Sequence, residues 1–321
     1  MTKIYNWKNH IKENELNKVI EVLTSEDLVI LPTETVYGIA ASAFSDVACK
    51  KIFAVKGRAQ DNPLIVHVNS IEMAKIIADF NNEAENIANY FWNIVKKPLT
   101  IVLKLINNNI SKYVTAGLST VALRCPYNKI AIDLISEFNG PLAAPSANTS
   151  NKISPTSYSM VKNDIGNKIP LILDGGECNV GIESTIIDLT KKPYVILRPG
   201  GVSNEDIEEF LNTNVVFNNK NSNIIAPGMI KKHYSPNLPL RINATEPNEG
   251  EAFIAFGNTN IKYDANLSVT GDLYEAARNL FATLSKLDNP DKYKGIAIIP
   301  IPNIGIGIGI NDRIKRASYK A

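Results

Sequence analysis

Four cations stand where this chain changes direction. Lys56 and Arg58 flank Gly57, Arg124 closes a run of β-formers, and Arg198 precedes Pro199-Gly200-Gly201. Phosphate recognition needs fixed cations or backbone N–H groups, and the planar guanidinium fork suits phosphate oxygens. Singly, each cation reads as a solvated surface charge. Arg58 and Arg198 resist that reading, because the glycines beside them let a ligand close on the backbone.

Other polar groups recur at the same kind of place. Residues 32–38 hold Thr33, Glu34, Thr35 and Tyr37, and the run 64–68 carries His67. Hydroxyls, a carboxylate, two cations and an imidazole at strand ends are what a small polar molecule with phosphates requires. His67 alternates with apolar neighbours, which favours an imidazole satisfied within a sheet over a ligand contact. Ser146 in PSAN and Ser184-Thr185 in GIEST lack a GxSxG elbow and a nearby histidine, so they read as hydrogen-bonding groups, not nucleophiles. His233-Tyr234 lies in a Pro/Gly-rich tether that has little use for either side chain, which points to a lid.

Two nucleotide signatures are absent. No GxxxxGK[ST] occurs, and the run Gly305-Ile306-Gly307-Ile308-Gly309 fails GxGxxG because Ile310 stands at the last position. That run reads as a tight strand-to-helix crossing.

The elements that must carry these groups alternate between strand and helix. A helix over 11–23 leads to a strand at 28–31, and Ser45-Asp46 caps a helix to about residue 55 that brings Lys56 and Arg58 back beside the hydroxyl loop. Helices at 71–80 and 83–95, strands at 99–105 and 120–124, and a helix at 130–138 precede a second polar loop, 141–151. Ser154-Pro155-Thr156 opens another helix, followed by a strand at 171–174, a hairpin of 183–189 with 194–198, and a capped helix at 203–211. Residues 212–223 are Asn-rich and too polar to bury anything, and they mark a boundary. Beyond a linker to 239, strands at 251–256 and 295–301 alternate with helices at 273–287 and from 311, a small parallel α/β unit. The expected division is 1–211, 212–239 and 240–321.

Bulk properties narrow the class. The 321 residues are 45% apolar and 21% charged with a formal charge of +2, so any nucleic-acid contact is local. Cys49, Cys125 and Cys178 are scattered, which excludes a disulfide framework or a CxxC zinc site. With no apolar leader and no run of about 18 apolar residues, the expectation is a cytoplasmic protein without a membrane span.

Taken in order, PTETVYG, KGR followed by DNPLIVHV, STVALRCP, PLAAPSAN, SPT, GIEST and ILRPGG resemble the YrdC-like family. The segments APGMIKKHYSP and GIGIGINDRIKRAS resemble the linker and C-terminal domain of its long members, the L-threonylcarbamoyladenylate synthases. The resemblance implies a twisted, mostly parallel or mixed α/β sheet with a concave cationic cavity, joined to a small Rossmann-like domain. It implies a nucleotidyltransferase that converts L-threonine, bicarbonate and ATP into threonylcarbamoyl-AMP and pyrophosphate. The product would pass to a tRNA threonylcarbamoyl transferase, with at most a weak tRNA contact here. Carried over by position, Thr35, His67, Arg124, Ala144 and Ser184 surround threonine. Arg58, Asn62, Thr120, Ser146, Ser154, Arg198 and Tyr234 surround ATP, and Lys56 is a further phosphate contact. No covalent nucleophile is implied; Mg²⁺ would bridge phosphate oxygens with few protein ligands. Two departures are local: Ser150-Asn151-Lys152 stands where members often read SGK, and Trp92 to Thr100 stretches a compact family turn. Two rivals are carbamoyl transfer to another acceptor, whose enzymes carry extra Cys-rich modules, and a non-enzymatic RNA-binding module with steeply salt-dependent affinity.

Overall fold

The computed structural model describes residues 2–8, 11–217 and 234–319. His233 and most of the expected linker lie outside the described residues. One 11-stranded sheet is built from β1 (Lys3–Asn6), β2 (Val29–Leu31), β3 (Gly38–Ser42), β4 (Ile65–His67), β5 (Leu99–Lys104), β6 (Thr120–Arg124), β7 (Leu142–Ala143), β8 (Leu171–Asp174), β9 (Thr185–Asp188), β10 (Val195–Arg198) and β11 (Val216–Phe217). Its order is β1-β8-β2-β3-β7-β4-β6-β5-β9-β10-β11. Parallel and antiparallel pairs are equally frequent, so the sheet is mixed. Continuous apolar runs such as Val29-Ile30-Leu31 suit strands covered on both faces, and β2 is buried throughout. A second sheet, β12 (Leu240–Arg241), β13 (Glu251–Ala255), β14 (Ala265–Asn266) and β15 (Gly295–Ile298), is parallel in the order β12-β15-β13-β14.

Local chemistry explains how the site residues are delivered. Ser45 Oγ accepts from Ala48 N–H to cap the helix Asp46–Lys56, and Gly57 closes it in the left-handed region at φ 60°. That cap turns Lys56 and Arg58 toward the sheet. After Pro32, the Thr33 hydroxyl donates to Val36 O at 2.7 Å and accepts from the N–H groups of Thr35 and Val36, folding residues 33–36 into a tight turn. The three cysteines are buried and free.

Three expectations change. The helix after Ser154-Pro155-Thr156 starts only at Tyr158, with Ser157 at its cap. Pro155 O accepts from Tyr37 N–H and Thr156 O from Cys178 N–H, so this segment's carbonyls serve neighbouring loops instead of a helix. Residues 212–223 are not uniformly too polar to bury: Val215 is buried, and β11 extends the large sheet by pairing parallel with β10. Three successive β-formers suffice beside an open edge. The last helix begins at Gly307, four residues earlier than expected, and both of its glycines sit where a Cβ would meet backbone.

Candidate active site

The ends of β4, β6 and β10 and the loops 32–37 and 144–148 enclose a cavity of about 50 Å³. Arg58, His67, Arg124, Ala144, Ser146, Arg198 and Tyr234 line it, as do Val36, Ile65, Pro145 and Glu183.

At one end, the parallel register sets His67 opposite Arg124. Arg124 Nη2 donates to Glu34 Oε1 at 2.5 Å and to Thr35 Oγ1 at 2.9 Å. Three atoms of this corner, Glu34 Oε2, Arg124 Nε and His67 Nδ1, are buried without a hydrogen-bond partner. Burial costs a polar group its water, so such a cluster is suited to taking bonds from a ligand. His67 thus enters the sheet as its alternation suggested, but with Nδ1 left without a partner. Burial, then the Arg124 charge, push its pKa down to about 3, which keeps it neutral.

At the other end the arginines are held in advance. Arg58 donates from Nε to Asn62 O and from Nη2 to Asn62 Oδ1 at 2.6 Å and Pro63 O at 2.8 Å. Arg198 donates from Nε and Nη2 to Ser184 O and from Nη2 to Ser184 Oγ, and that hydroxyl lies 2.7 Å from Thr100 Oγ1. Asn62 and Ser184 thus stand behind the arginines. Thr120 begins β6, where it faces Lys104 of β5, and it does not line the cavity.

Lys56 differs from its expected place as a phosphate contact. Its ammonium donates to Ser146 O at 2.5 Å and Asn148 O at 2.6 Å, is 2% exposed, and does not line the cavity. Burial, then the Arg58 charge, lower its pKa well below the usual lysine value. It ties down the loop that presents Ser146; Ile39 N–H to Pro145 O and Ala147 N–H to Tyr37 O complete the stitching.

Glu183 escaped the sequence reading. Its Oε1 accepts from Ser154 Oγ at 2.6 Å and its Oε2 from Arg313 Nε at 2.8 Å. Burial would raise its pKa, but Arg313, Arg198 and these hydrogen bonds outweigh it and hold the carboxyl at about 2. Ser154 therefore reaches the site only through Glu183. Tyr234 is fully buried on the cavity wall against Phe281, with ring centroids 5.4 Å apart.

The family model described as Telomere recombination, for Sua5, YciO and YrdC, matches residues 21–200, and that described as Threonylcarbamoyl-AMP synthase, C-terminal domain, matches residues 202–318. The chain belongs to the Sua5/YciO/YrdC family. The threonylcarbamoyl-AMP synthase of Pyrococcus abyssi is 36% identical over 99% of this chain and 98% of its own, and that of Bacillus subtilis 33% identical over 95% and 93%. The crystal structure of P. abyssi Sua5 complexed with L-threonine matches with a TM-score of 0.90 and 36% identity, covering 99% of this chain and 98% of that one. These relatives share one activity across both domains, which sets aside the carbamoyltransferase and RNA-binding rivals. Within this Sua5/YciO/YrdC member, the signal that could have found Glu183 was present: it is an acidic residue inside a quoted motif, GIEST, as Glu34 is inside PTETVYG.

Proposed function

We propose that the cavity's two ends divide the substrates of threonylcarbamoyl-AMP synthesis. The activity itself comes with the family: the chain is an ATP-using transferase that makes threonylcarbamoyl-AMP for tRNA modification. L-Threonine takes the Arg124 end, where Arg124 Nε meets its carboxylate and Glu34 Oε2 accepts from its amine. His67 and Ala144 wall it in and Thr35 acts from behind Arg124, while Ser184, which the resemblance assigned to threonine, stands behind Arg198 at the other end. ATP takes the Arg58 and Arg198 end, with Ser146 and Tyr234 on its walls and Asn62, Thr120, Ser154 and Lys56 as supports. The convergence of three unpartnered atoms on the Arg124 corner carries this assignment, and the relative's complex with L-threonine supports it.

The chemistry needs position and charge. The neutral amine attacks bicarbonate, a C–N bond forms and water is lost; a carbamate oxygen then attacks the α-phosphorus while the bond to the β-phosphate oxygen breaks and pyrophosphate leaves. Ser146 and Ser184 need form no covalent intermediate, and the arginines fixed in advance stabilise phosphate charge without reorganising. Among the described residues no group of three acidic, His or Cys side chains could hold a metal. A divalent cation, Mg²⁺ in this proposal, would come with the ATP phosphates and offset their charge. The product passes to a tRNA threonylcarbamoyl transferase, and any tRNA contact is weak. No helix among the described residues is long and apolar enough to cross a membrane, in keeping with a cytoplasmic enzyme.

The test is incubation with ATP, L-threonine and labelled bicarbonate. Label enters an adenylate in step with pyrophosphate release, and Arg124→Lys raises the threonine KM about tenfold or more with the ATP KM little changed, since lysine lacks the fork. Equal shifts in both constants would remove the division of the cavity.

A further inference from the structure

Arg313 belongs to the second domain's last helix, Gly307–Ala317, yet its side chain works on the first domain. It is wholly buried. Nε donates to Glu183 Oε2 at 2.8 Å, 130 residues away, and Nη1 donates to Pro199 O at 2.7 Å, directly after Arg198. Its guanidinium carbon also lies 5.3 Å from the centroid of the Tyr234 ring. Three neighbours on the ATP side of the cavity, Glu183 and the Arg198–Pro199 backbone of the first domain and Tyr234 of the second domain's core, are thus gathered by one side chain.

The arrangement is more than a tether between domains. Glu183 lines the cavity between two cations, Arg198 and Arg313, and without one of them its buried charge would pull on the other. Were Arg313 absent, Glu183 would compete for Arg198, the group proposed to meet phosphate. A lysine could supply the charge but could not reach the carboxylate and the Pro199 carbonyl together through a planar fork.

We propose that Arg313 is a positioning residue for the nucleotide: it holds Glu183 away from Arg198 and fixes Tyr234, so that the ATP side is complete only when the second domain is docked. This rests on the assignment of ATP to the Arg58 and Arg198 end. Arg313 does not line the cavity; it acts through its neighbours.

The experiment compares full-length Arg313→Met, Arg313→Lys and Arg198→Met with the unaltered chain, following melting temperature and separate KM values for ATP and L-threonine. Arg313→Met raises the ATP KM about tenfold or more, as small misplacements of binding groups do, and leaves the threonine KM within about twofold. Arg313→Lys falls between. A lower melting temperature with both KM values unchanged makes Arg313 a structural tie and overturns the inference. Should Arg313→Met not fold, Arg313→Lys, which keeps the charge and lacks the fork, carries the test in its place: it shows a raised ATP KM, and an unchanged one overturns the proposal. Arg198→Met separates the two claims. If it leaves the ATP KM unchanged, the assignment of ATP to this wall fails; if it raises the ATP KM while Arg313→Met does not, only the role of Arg313 fails.

Discussion

His67 illustrates how a cavity wall imposes a pH dependence on the whole fold. Its pKa of about 3 in the folded protein lies far below the ordinary histidine value near 6.5, first because of burial and then because of Arg124. Below pH 6.5 the unfolded chain binds a proton that the folded chain refuses, so stability present above that pH is lost as pH falls toward 3, on the order of 1 kcal/mol per unit. Glu183 has the same sign in a lower window: its folded pKa of about 2 lies below the unfolded value near 4.5, so its contribution fades only below pH 4.5. His67→Gln should therefore flatten the urea midpoint between pH 6.5 and 4.5 relative to the unaltered chain, and leave the steeper loss below pH 4.5. Parallel profiles for the two proteins would show that His67 does not titrate as placed. The residue types were legible in the sequence, but the state of His67 was not. Period-2 alternation says that a side chain enters a sheet face; it cannot say that the register with β6 leaves Nδ1 beside a guanidinium and without a partner.

Among the elements, the helix Asp46–Lys56 and the loop 144–148 work as one device. The helix was legible because its signals are local: Ser45 at the cap and Gly57 at the left-handed close. The purpose of Lys56 was not, since a cation at a helix end is equally suited to phosphate or to carbonyl oxygens. In the fold it takes two carbonyls, of Ser146 and Asn148, 90 and 92 residues away. The same limit explains the helix misplaced at Ser154-Pro155-Thr156, where proline is compatible with a first helical turn and only the neighbouring loops decide otherwise. Lys56→Met keeps the length of the side chain and leaves those two carbonyls buried without a donor. At about 1–3 kcal/mol for each unsatisfied group, stability should fall by about 2 kcal/mol or more by urea denaturation, and the ATP KM should rise as Ser146 loosens. A direct phosphate contact would give the reverse pattern, a raised ATP KM with stability unchanged or improved by loss of a buried charge.

At the scale of the whole molecule the two sheets approach through glycine. A Cβ on Gly309 would lie 2.8 Å from Gly200 O and 3.1 Å from its Cα, and one on Gly181, at φ 79°, would lie 2.3 Å from Arg278 Cα. In the sequence the run around Gly309 showed only a crossing that is not a dinucleotide fingerprint. Its reason lies in ILRPGG more than 100 residues earlier, and no local pattern connects the two. Gly309 sits one helical turn before Arg313, so the closeness of these backbones sets the reach of Arg313 to Glu183 and Pro199. Intrinsic propensity and packing then make opposite predictions for Gly309→Ala. In a helix, alanine is favoured over glycine by about 1 kcal/mol, which would raise the melting temperature. The added methyl meets a backbone carbonyl, which cannot rotate aside as a flexible side chain could, so the helix must lift from Gly200. We expect contact to win: Gly309→Ala melts lower and shows a raised ATP KM. Gly305→Ala is its control, because Gly305 has a positive φ of 52° with nothing within 4 Å of its Cβ position, so that substitution strains the backbone without moving the domains and should leave the ATP KM unchanged. A higher melting temperature and an unaltered ATP KM for Gly309→Ala would mean that the seam yields without cost and that the site does not depend on how closely the domains meet.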